Sequence, residues 1–264
     1  MMRTLLALVL TVTICSGALA AAPKTIVNPA EFRAYQAALS IANPGARGAA
    51  LEAFAGRYPK SVARVDALEH AMTAYQVAGQ SGNEEHAVIL LLQADPQNVN
   101  GLAIGTYLTR GDATAGNTQA LLALDGWAAR GLAALLGSPR PDAPVGAIFY
   151  GAQGFAALQR HDVARARTAY LHALALSATG VDAYQLSLAD LESAPTDARG
   201  FWYAAKSIAL MRAEGNPSGA ASVETYMRKR YATYHGTADG WDAIVAAAAG
   251  QNGPPIGFSV EAAH

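Results

Sequence analysis

The feature that most constrains this chain is the alternation of Ala-rich apolar segments with short breaks made of Pro, Gly and Asn. Ala has the best helix propensity of all residues, and runs of β-branched residues with the period-two pattern of strands are absent. Helices and turns therefore follow one another along the whole chain. We predict an all-α fold of about twelve short helices joined by short turns, which is typical of an α-solenoid of antiparallel helix hairpins.

The residues at the breaks predict where individual helices begin and end. Asn28 is expected to cap the first helix, with Pro29 at its first position and Glu31 placed to bond back to the cap. Ser61 is expected to cap the third helix, because the Ser hydroxyl accepts from the free N–H groups of a first turn. Gly111 predicts the end of a fifth helix over 99–110.

A Pro-rich segment at 138–144 is predicted to be a hinge that divides the chain. The N-terminal half covers 28–137 and includes a long sixth helix over 118–136. The C-terminal half covers 145–250, and an extended tail follows at 251–264. The helices predicted in the second half cover 145–160, 162–177, 182–192, 197–213, 219–234 and 239–249.

The first twenty residues have the pattern of a secretory signal peptide. Arg3 precedes an apolar stretch from Leu5 to Ile14, and Ala18-Leu19-Ala20 is a small-x-small cleavage site. We therefore expect an exported protein, periplasmic or extracellular, that begins with a short exposed leader at 21–27. The alternative is an uncleaved anchor over 5–22, which is barely long enough to span a bilayer.

Cys15 is the one cysteine of the chain, and it lies within the predicted signal peptide. Lipid attachment to Cys15 is not expected, because the bulky residue Ile14 stands where a bacterial lipoprotein signal has a small residue. Cleavage after Ala20 leaves no thiol, which excludes disulfides, thiolate chemistry and c-type haem from the mature protein.

The composition argues against two classes of partner. Charged residues make up 15% of the chain and the formal net charge is −1, and neither value indicates the clustered Lys and Arg of a basic binding surface. Nucleic acids and anionic membrane surfaces both need such clusters. No later apolar run is long enough to cross a membrane.

The spacing of large and small residues in 147–180 is that of a tetratricopeptide repeat (TPR). Tyr150 takes the first large position, Gly154 the close-packing position, and Ala166 the small position where the second helix crosses the first. Tyr170 and Ala173 follow at the expected intervals. Two helices approach closely only where small residues face each other, so we expect Gly154 and Ala166 to form a packing pair. The segment resembles a TPR unit.

Other segments resemble the same family in part. In 65–98, Leu68 and Tyr75 fit the first helix, Gly79 the turn and Pro96 the end, whereas Glu84 departs from the pattern at the small position of the second helix. In 46–64, one set of residues resembles the hairpin junction of periplasmic TPR proteins that assist envelope assembly: Ala50, Phe54, Tyr58-Pro59 and Ser61.

The C-terminal third adds a further likeness. Trp202, Ala205 and Ala209 suggest another first helix of a hairpin. The Trp-Tyr-Ala-Ala segment at 202–205 and the residues around Trp241 are similar to the ending of exported bacterial TPR-like proteins. This resemblance implies a fold and no activity. The alternative is an Ala-rich α-solenoid or bundle without TPR geometry.

No sequence pattern points to catalysis, a metal or a cofactor. Neither His70 nor His86 forms a His-Glu-x-x-His motif, and His161 and His172 stand apart from other candidate ligands. A Gly-x-Ser-x-Gly motif, a P-loop and a dinucleotide-binding glycine pattern are all absent. We expect a non-enzymatic protein without cofactors.

The resemblance implies that the first helices of the hairpins line a concave groove that binds an extended or helical peptide. The expected function is therefore a protein–protein interaction scaffold of the bacterial cell envelope. The residues expected to face the groove are Asp66, Glu69, Thr73, Gln76, Asn100, Tyr107, Arg110, Tyr203 and Ser207.

The stretch 226–242 combines basic and aromatic residues and has two interpretations. It can be a docking face for a small anion or a glycan, which gives the alternative function of a ligand-binding accessory protein. It can equally be a capping helix, in which Tyr226, Tyr231 and Tyr234 pack, the cations are solvated, and Trp241 seals the last hairpin. We favour the capping interpretation.

Overall fold

The structure is a computed structural model that describes residues 25–263. The predicted signal peptide and most of the leader lie outside these residues, as does His264. The described part of the chain forms twelve α-helices and no strand, which confirms the all-α prediction. The helices are α1 (Pro29–Leu39), α2 (Pro44–Arg57), α3 (Arg64–Val77), α4 (Ser81–Ala94), α5 (Val99–Thr114), α6 (Thr118–Leu136), α7 (Ala143–Gln159), α8 (Val163–Leu176), α9 (Gly180–Leu191), α10 (Arg199–Ala213), α11 (Pro217–His235) and α12 (Trp241–Ala249).

Most consecutive helices pack against each other, from α1 and α2 through α10 and α11. Next-but-one contacts are added between α5 and α7, α7 and α9, and α10 and α12. This is the arrangement of an α-solenoid, in which each helix is covered by its neighbours along the array. Helices α7 and α10 have buried residues around their whole circumference.

Polar side chains fix several helix starts. Asn28 Oδ1 accepts from the backbone N–H of Ala30 and Glu31, as predicted. Ser61, however, is not the cap of the third helix: α3 begins three residues later at Arg64, and the Ser61 hydroxyl accepts from the backbone N–H of Ala63 in the preceding turn. The predicted cap lies one turn too early because the intervening residues form a separate turn.

The fifth helix extends beyond its predicted end. It continues through Gly111 to Thr114, and Gly116 follows with φ +98°. Only glycine adopts that backbone conformation without strain, so the chain turns at Gly116 rather than at Gly111. Glycine inside a helix is tolerated at a modest cost, which is why Gly111 does not end α5.

Glycines let aromatic rings approach the helix backbones closely. A Cβ atom at Gly154 would lie 2.8 Å from the Tyr170 ring, and its three nearest neighbours are all atoms of Tyr170. The ring of Tyr170 is therefore the nearest neighbour of Gly154, and Ala166 on the same helix as Tyr170 is fully buried. Three further junctions have the same geometry: Gly48 with Tyr75, Gly105 with Trp127, and Gly131 with Phe149.

The C-terminal tail folds back onto the helices. Phe258 contacts Trp202 edge-on with ring centroids 5.3 Å apart, and Val260 is buried. The backbone N–H of Ala263 donates to the carbonyl of Tyr234 at 2.8 Å. The predicted tail is thus non-helical, and it covers part of α10 and α11.

Candidate interaction surface

Side chains link the odd-numbered helices along one side of the array. The Tyr35 hydroxyl on α1 donates to the carboxylate of Asp66 on α3. Asn98 Nδ2, at the start of α5, donates to Glu69 Oε1 on α3 at 2.7 Å. Arg110 on α5 then reaches α9. We call this side, formed by α1, α3, α5, α7 and α9, the odd-helix face.

The even-numbered helices are linked separately. His86 Nδ1 on α4 lies 3.3 Å from Glu52 Oε1 on α2, and Arg165 on α8 pairs with Asp125 on α6 at 3.4 Å. Contacts of this kind between next-but-one helices are those expected of a stacked array of hairpins. The odd-helix face carries most of the residues predicted to contact a partner.

The N-terminal part of the odd-helix face is polar and partly exposed. Asp66 lies 3.7 Å from His70 Nε2, and both side chains are about half exposed. Thr73 and Gln76 are exposed one and two turns further along α3. Burial and the neighbouring Asp66 raise the pKa of Tyr35, so its hydroxyl stays protonated and keeps donating to Asp66.

Two predicted residues on α5 extend this surface. Asn100 is half-buried, with its Nδ2 3.5 Å from Glu69 Oε1. Tyr107 is 49% exposed and projects from the helix between Asn100 and Arg110. Glu69, Asn100 and Tyr107 therefore form a partly accessible strip of amide, carboxylate and aromatic groups.

Arg110 occupies the centre of the odd-helix face. Its Nη2 donates to Asp182 Oδ1 on α9 at 3.0 Å, and the two side chains are 20% and 7% exposed. Its guanidinium lies 5.6 Å from the centroid of the Phe155 ring on α7. Burial lowers the pKa of Arg110, but the attraction of Asp182 outweighs it and the pKa is raised, so Arg110 remains charged.

The predicted positions on α10 are not accessible. Ser207 is fully buried and its hydroxyl donates to the Ala204 carbonyl at 2.8 Å, and Tyr203 is 6% exposed. Trp202 and Ala205 on the same helix are buried as well. Tyr203 and Ser207 cannot contribute to an open surface in this structure.

The residues assigned to repeat packing are mostly in the core. Those that are buried are Leu68, Tyr75, Gly154, Ala166, Tyr170, Ala173, Trp202 and Trp241. Tyr150 is half-buried and stacks on the ring of His172 at 5.0 Å. Glu84, which departs from the repeat pattern, is also buried, and burial raises the pKa of its carboxyl.

The C-terminal basic and aromatic stretch is mainly structural. Tyr231 and Trp241 are buried and their rings lie 5.6 Å apart. Tyr226 was expected to pack as well, but it is 50% exposed because it lies on the outer side of α11. Arg228 pairs with Asp242 on α12 and with Glu224, and Arg230 donates to the Leu191 carbonyl at 3.3 Å.

An open depression of about 520 Å³ lies beside this stretch, between α11 and the turn that follows it. Its polar lining comes from Glu224, Thr225, Arg228 and Lys229. The charge of Arg228 is already matched by two carboxylates, which leaves Lys229 as the cation offered to a ligand. This balance weakens the depression as an anion site.

Sequence reasoning missed the acidic partners of two arginines. Asp182 binds Arg110, and Asp190 accepts from Arg167 Nε at 2.8 Å. Both acids lie on α9 and both are buried. No local pattern could have indicated them, because Asp182 lies 72 residues from Arg110 in the chain.

Comparison of the chain with models of known protein families, with curated proteins and with solved structures gives no match. Over residues 25–263, no helix is long and apolar enough to cross a membrane. Within the same range, no three His, Cys, Asp or Glu side chains lie together as ligands of a metal ion would.

Proposed function

We propose that this protein is a non-enzymatic, TPR-like scaffold of the bacterial cell envelope that binds a peptide or protein partner on the odd-helix face. The observation that supports the proposal is the strip formed by Asp66, Glu69, Asn100 and Tyr107. It runs across two successive hairpins and keeps carboxylate, amide and phenol groups partly exposed. Such groups bind the backbone of an extended or helical segment and its side chains.

Tyr107 is the residue best placed to anchor a partner. Aromatic residues that remain exposed on a surface are enriched at protein interfaces, because a large ring adds contact area and the hydroxyl adds a hydrogen bond. Export, which the sequence at 1–20 predicts, would place this surface in the periplasm or outside the cell.

The alternative is that the partner is a small anion or a glycan bound beside Arg228 and Lys229. The depression next to α11, which Arg228 and Lys229 help to line, favours this candidate. Tyr226 is also a matched control for Tyr107, because the two tyrosines lie on helices and are exposed to nearly the same extent, 50% and 49%.

The odd-helix face can be compared with the exposed side of α11 at Tyr226 by photo-crosslinking in the cells that produce the protein. A photoreactive phenylalanine replaces Tyr107 in one variant and Tyr226 in the other. We expect a discrete protein adduct from position 107 and none from position 226. Adducts from 226 alone would move the binding surface to α11, and a lack of adducts from 107 would contradict the proposal.

A further inference from the structure

The ion pair between Arg110 and Asp182 crosses the middle of the odd-helix face. Arg110 lies on α5 and Asp182 on α9, and α7 lies between these helices and packs against both. The pair therefore joins two helices that belong to different hairpins, and it does so over the outer side of the central helix.

Gly151 is the position on α7 over which the pair lies. A Cβ atom at this residue would be 2.9 Å from Arg110 Nη1 and 2.9 Å from Asp182 Oδ1. The two charged groups thus rest directly against the helix backbone. Any side chain at position 151 would stand between the guanidinium and the carboxylate or push both outward.

Asp182 is held in place for this contact. It lies in the first turn of α9, where its backbone N–H donates to the Thr179 hydroxyl at 3.1 Å and its Oδ2 accepts from that hydroxyl at 3.0 Å. A carboxylate at a helix N-terminus is also favoured by the helix dipole. The acid is therefore oriented before Arg110 binds it.

Two aromatic side chains lie close to the pair. Phe155 lies under the Arg110 guanidinium. Tyr170 is fully buried behind α7, and its hydroxyl has no hydrogen-bond partner among the described residues. Arg110 and Asp182 both act electrostatically on this hydroxyl, which places it close to the pair. An aromatic ring and a free hydroxyl lie beneath one ion pair.

We propose that the Arg110–Asp182 pair is a releasable clasp that holds the centre of the odd-helix face closed. Release of the clasp lets α5 and α9 separate over α7 and uncovers Phe155. One part of this inference rests on the proposed function. If a partner binds at Tyr107, one turn from Arg110, the open state favours its binding. If only a fraction of the molecules is open, the apparent affinity for the partner equals the affinity of the open state multiplied by that fraction.

Hydrogen exchange of the free protein tests the clasp without a partner. Asp182→Asn keeps the size of the side chain and an oxygen that can accept from the Thr179 hydroxyl, but removes its charge. Gly151→Ala keeps both charges and places a methyl group between them. We expect the backbone amides of α7 to exchange about tenfold faster or more in both variants, because their opening no longer requires breaking the ion pair.

Asp190→Asn is the matched control. It removes the ion pair between Asp190 on α9 and Arg167 on α8. The carboxylate of this second pair is also buried, but the pair does not cross α7. Unchanged α7 exchange in Asp182→Asn would overturn the clasp, as would an equal acceleration in Asp190→Asn. If Asp182→Asn does not fold, Gly151→Ala decides the question by the same two criteria.

Photo-crosslinking then separates the clasp from the proposed function. If the clasp restricts partner binding, Asp182→Asn raises the adduct yield from position 107, and an unchanged yield contradicts that restriction. Faster exchange in α7 without adducts from position 107 in any variant would leave the clasp standing and overturn the binding surface.

Discussion

Gly131 on α6 and Phe149 on α7 are in such close contact that a Cβ atom at position 131 would lie 2.1 Å from Cε1 of the ring. Phe149 is fully buried, so its ring has no free space to move into. We expect Gly131→Ala to lower the free energy of unfolding by about 1–3 kcal/mol through overpacking, despite the better helix propensity of Ala. Chemical denaturation measures this change.

Gly126 provides the control for that substitution. It lies on the same helix and is exposed, and a Cβ atom at this position would have no atom of a neighbouring described residue within 4 Å. Gly126→Ala should therefore stabilise the protein by up to about 1 kcal/mol through helix propensity alone. If Gly131→Ala were equally stabilising, the close contact between α6 and α7 would be incorrect.

The buried carboxyl of Asp190 predicts a pH dependence of stability. Burial raises the pKa of Asp190 to about 6, and the nearby Arg167 offsets only part of this effect. The folded state therefore binds a proton more readily than the unfolded state, in which the pKa is the ordinary one for Asp. Stability is expected to rise, by on the order of 1 kcal/mol, as the pH falls from about 7 to about 5.

Urea denaturation of the wild type and Asp190→Asn at both pH values checks this prediction. The variant carries a neutral side chain at either pH, so its gain on acidification should be smaller than that of the wild type. Asp197 acts at lower pH with the opposite sign, because its hydrogen bond with Arg199 lowers its pKa. An identical pH response in the two proteins would contradict the buried titration of Asp190.

The C-terminal helices are expected to depend on aromatic packing more than on their cations. Trp241 is fully buried against Tyr231, so Trp241→Ala should cost about 3–5 kcal/mol in thermal or chemical unfolding. Replacing Arg228, Lys229 and Arg230 together should cost much less, because Lys229 is exposed and the ion pair of Arg228 with Asp242 lies at the surface. Comparable losses of unfolding free energy in the two variants would show that the ion pair between α11 and α12 stabilises the C-terminal helices as much as aromatic packing does.

Docking of the tail predicts a contrast between two neighbouring apolar residues. Phe258 packs against Trp202, so Phe258→Ala should lower the free energy of unfolding by about 1 kcal/mol. Ile256 is fully exposed two residues earlier, and Ile256→Ala should have no measurable effect. Equal effects would mean that the tail is not held against α10 as the structure has it.

The sequence predicted the helices well because their signals are local. The predicted sixth helix coincides with α6, and Asn117, immediately before it, caps it by accepting from the backbone N–H of Gln119 and Ala120. The end of a helix is harder to predict from sequence when the helix contains a glycine, as α5 contains Gly111. Caps and breaks act within a few residues, so one chain suffices to detect them.

The surface was predictable only in part. The spacing along α3 and α5 predicts that Asp66, Tyr107 and Arg110 share one face, and in the structure Asp66 and Tyr107 are exposed whereas Arg110 is mostly covered. Ser207 was misplaced, because all residues from Gly200 to Ile208 on α10 are buried and their spacing does not reveal which neighbours cover them. The contact of Arg110 with Asp182 depends on how hairpins stack, which a pattern within one helix does not encode.

The contact of Gly131 with Phe149 also concerns the Pro-rich turn that joins α6 to α7. Leu135 and Leu176 close around Gly146 just beyond that turn, so the segments of chain on its two sides share one apolar interior. A cut within residues 138–142 would give two fragments that each expose half of this interior. We expect such fragments to aggregate or remain unfolded alone and to reassemble when mixed, which would make this turn a natural place to split the protein into a complementing pair.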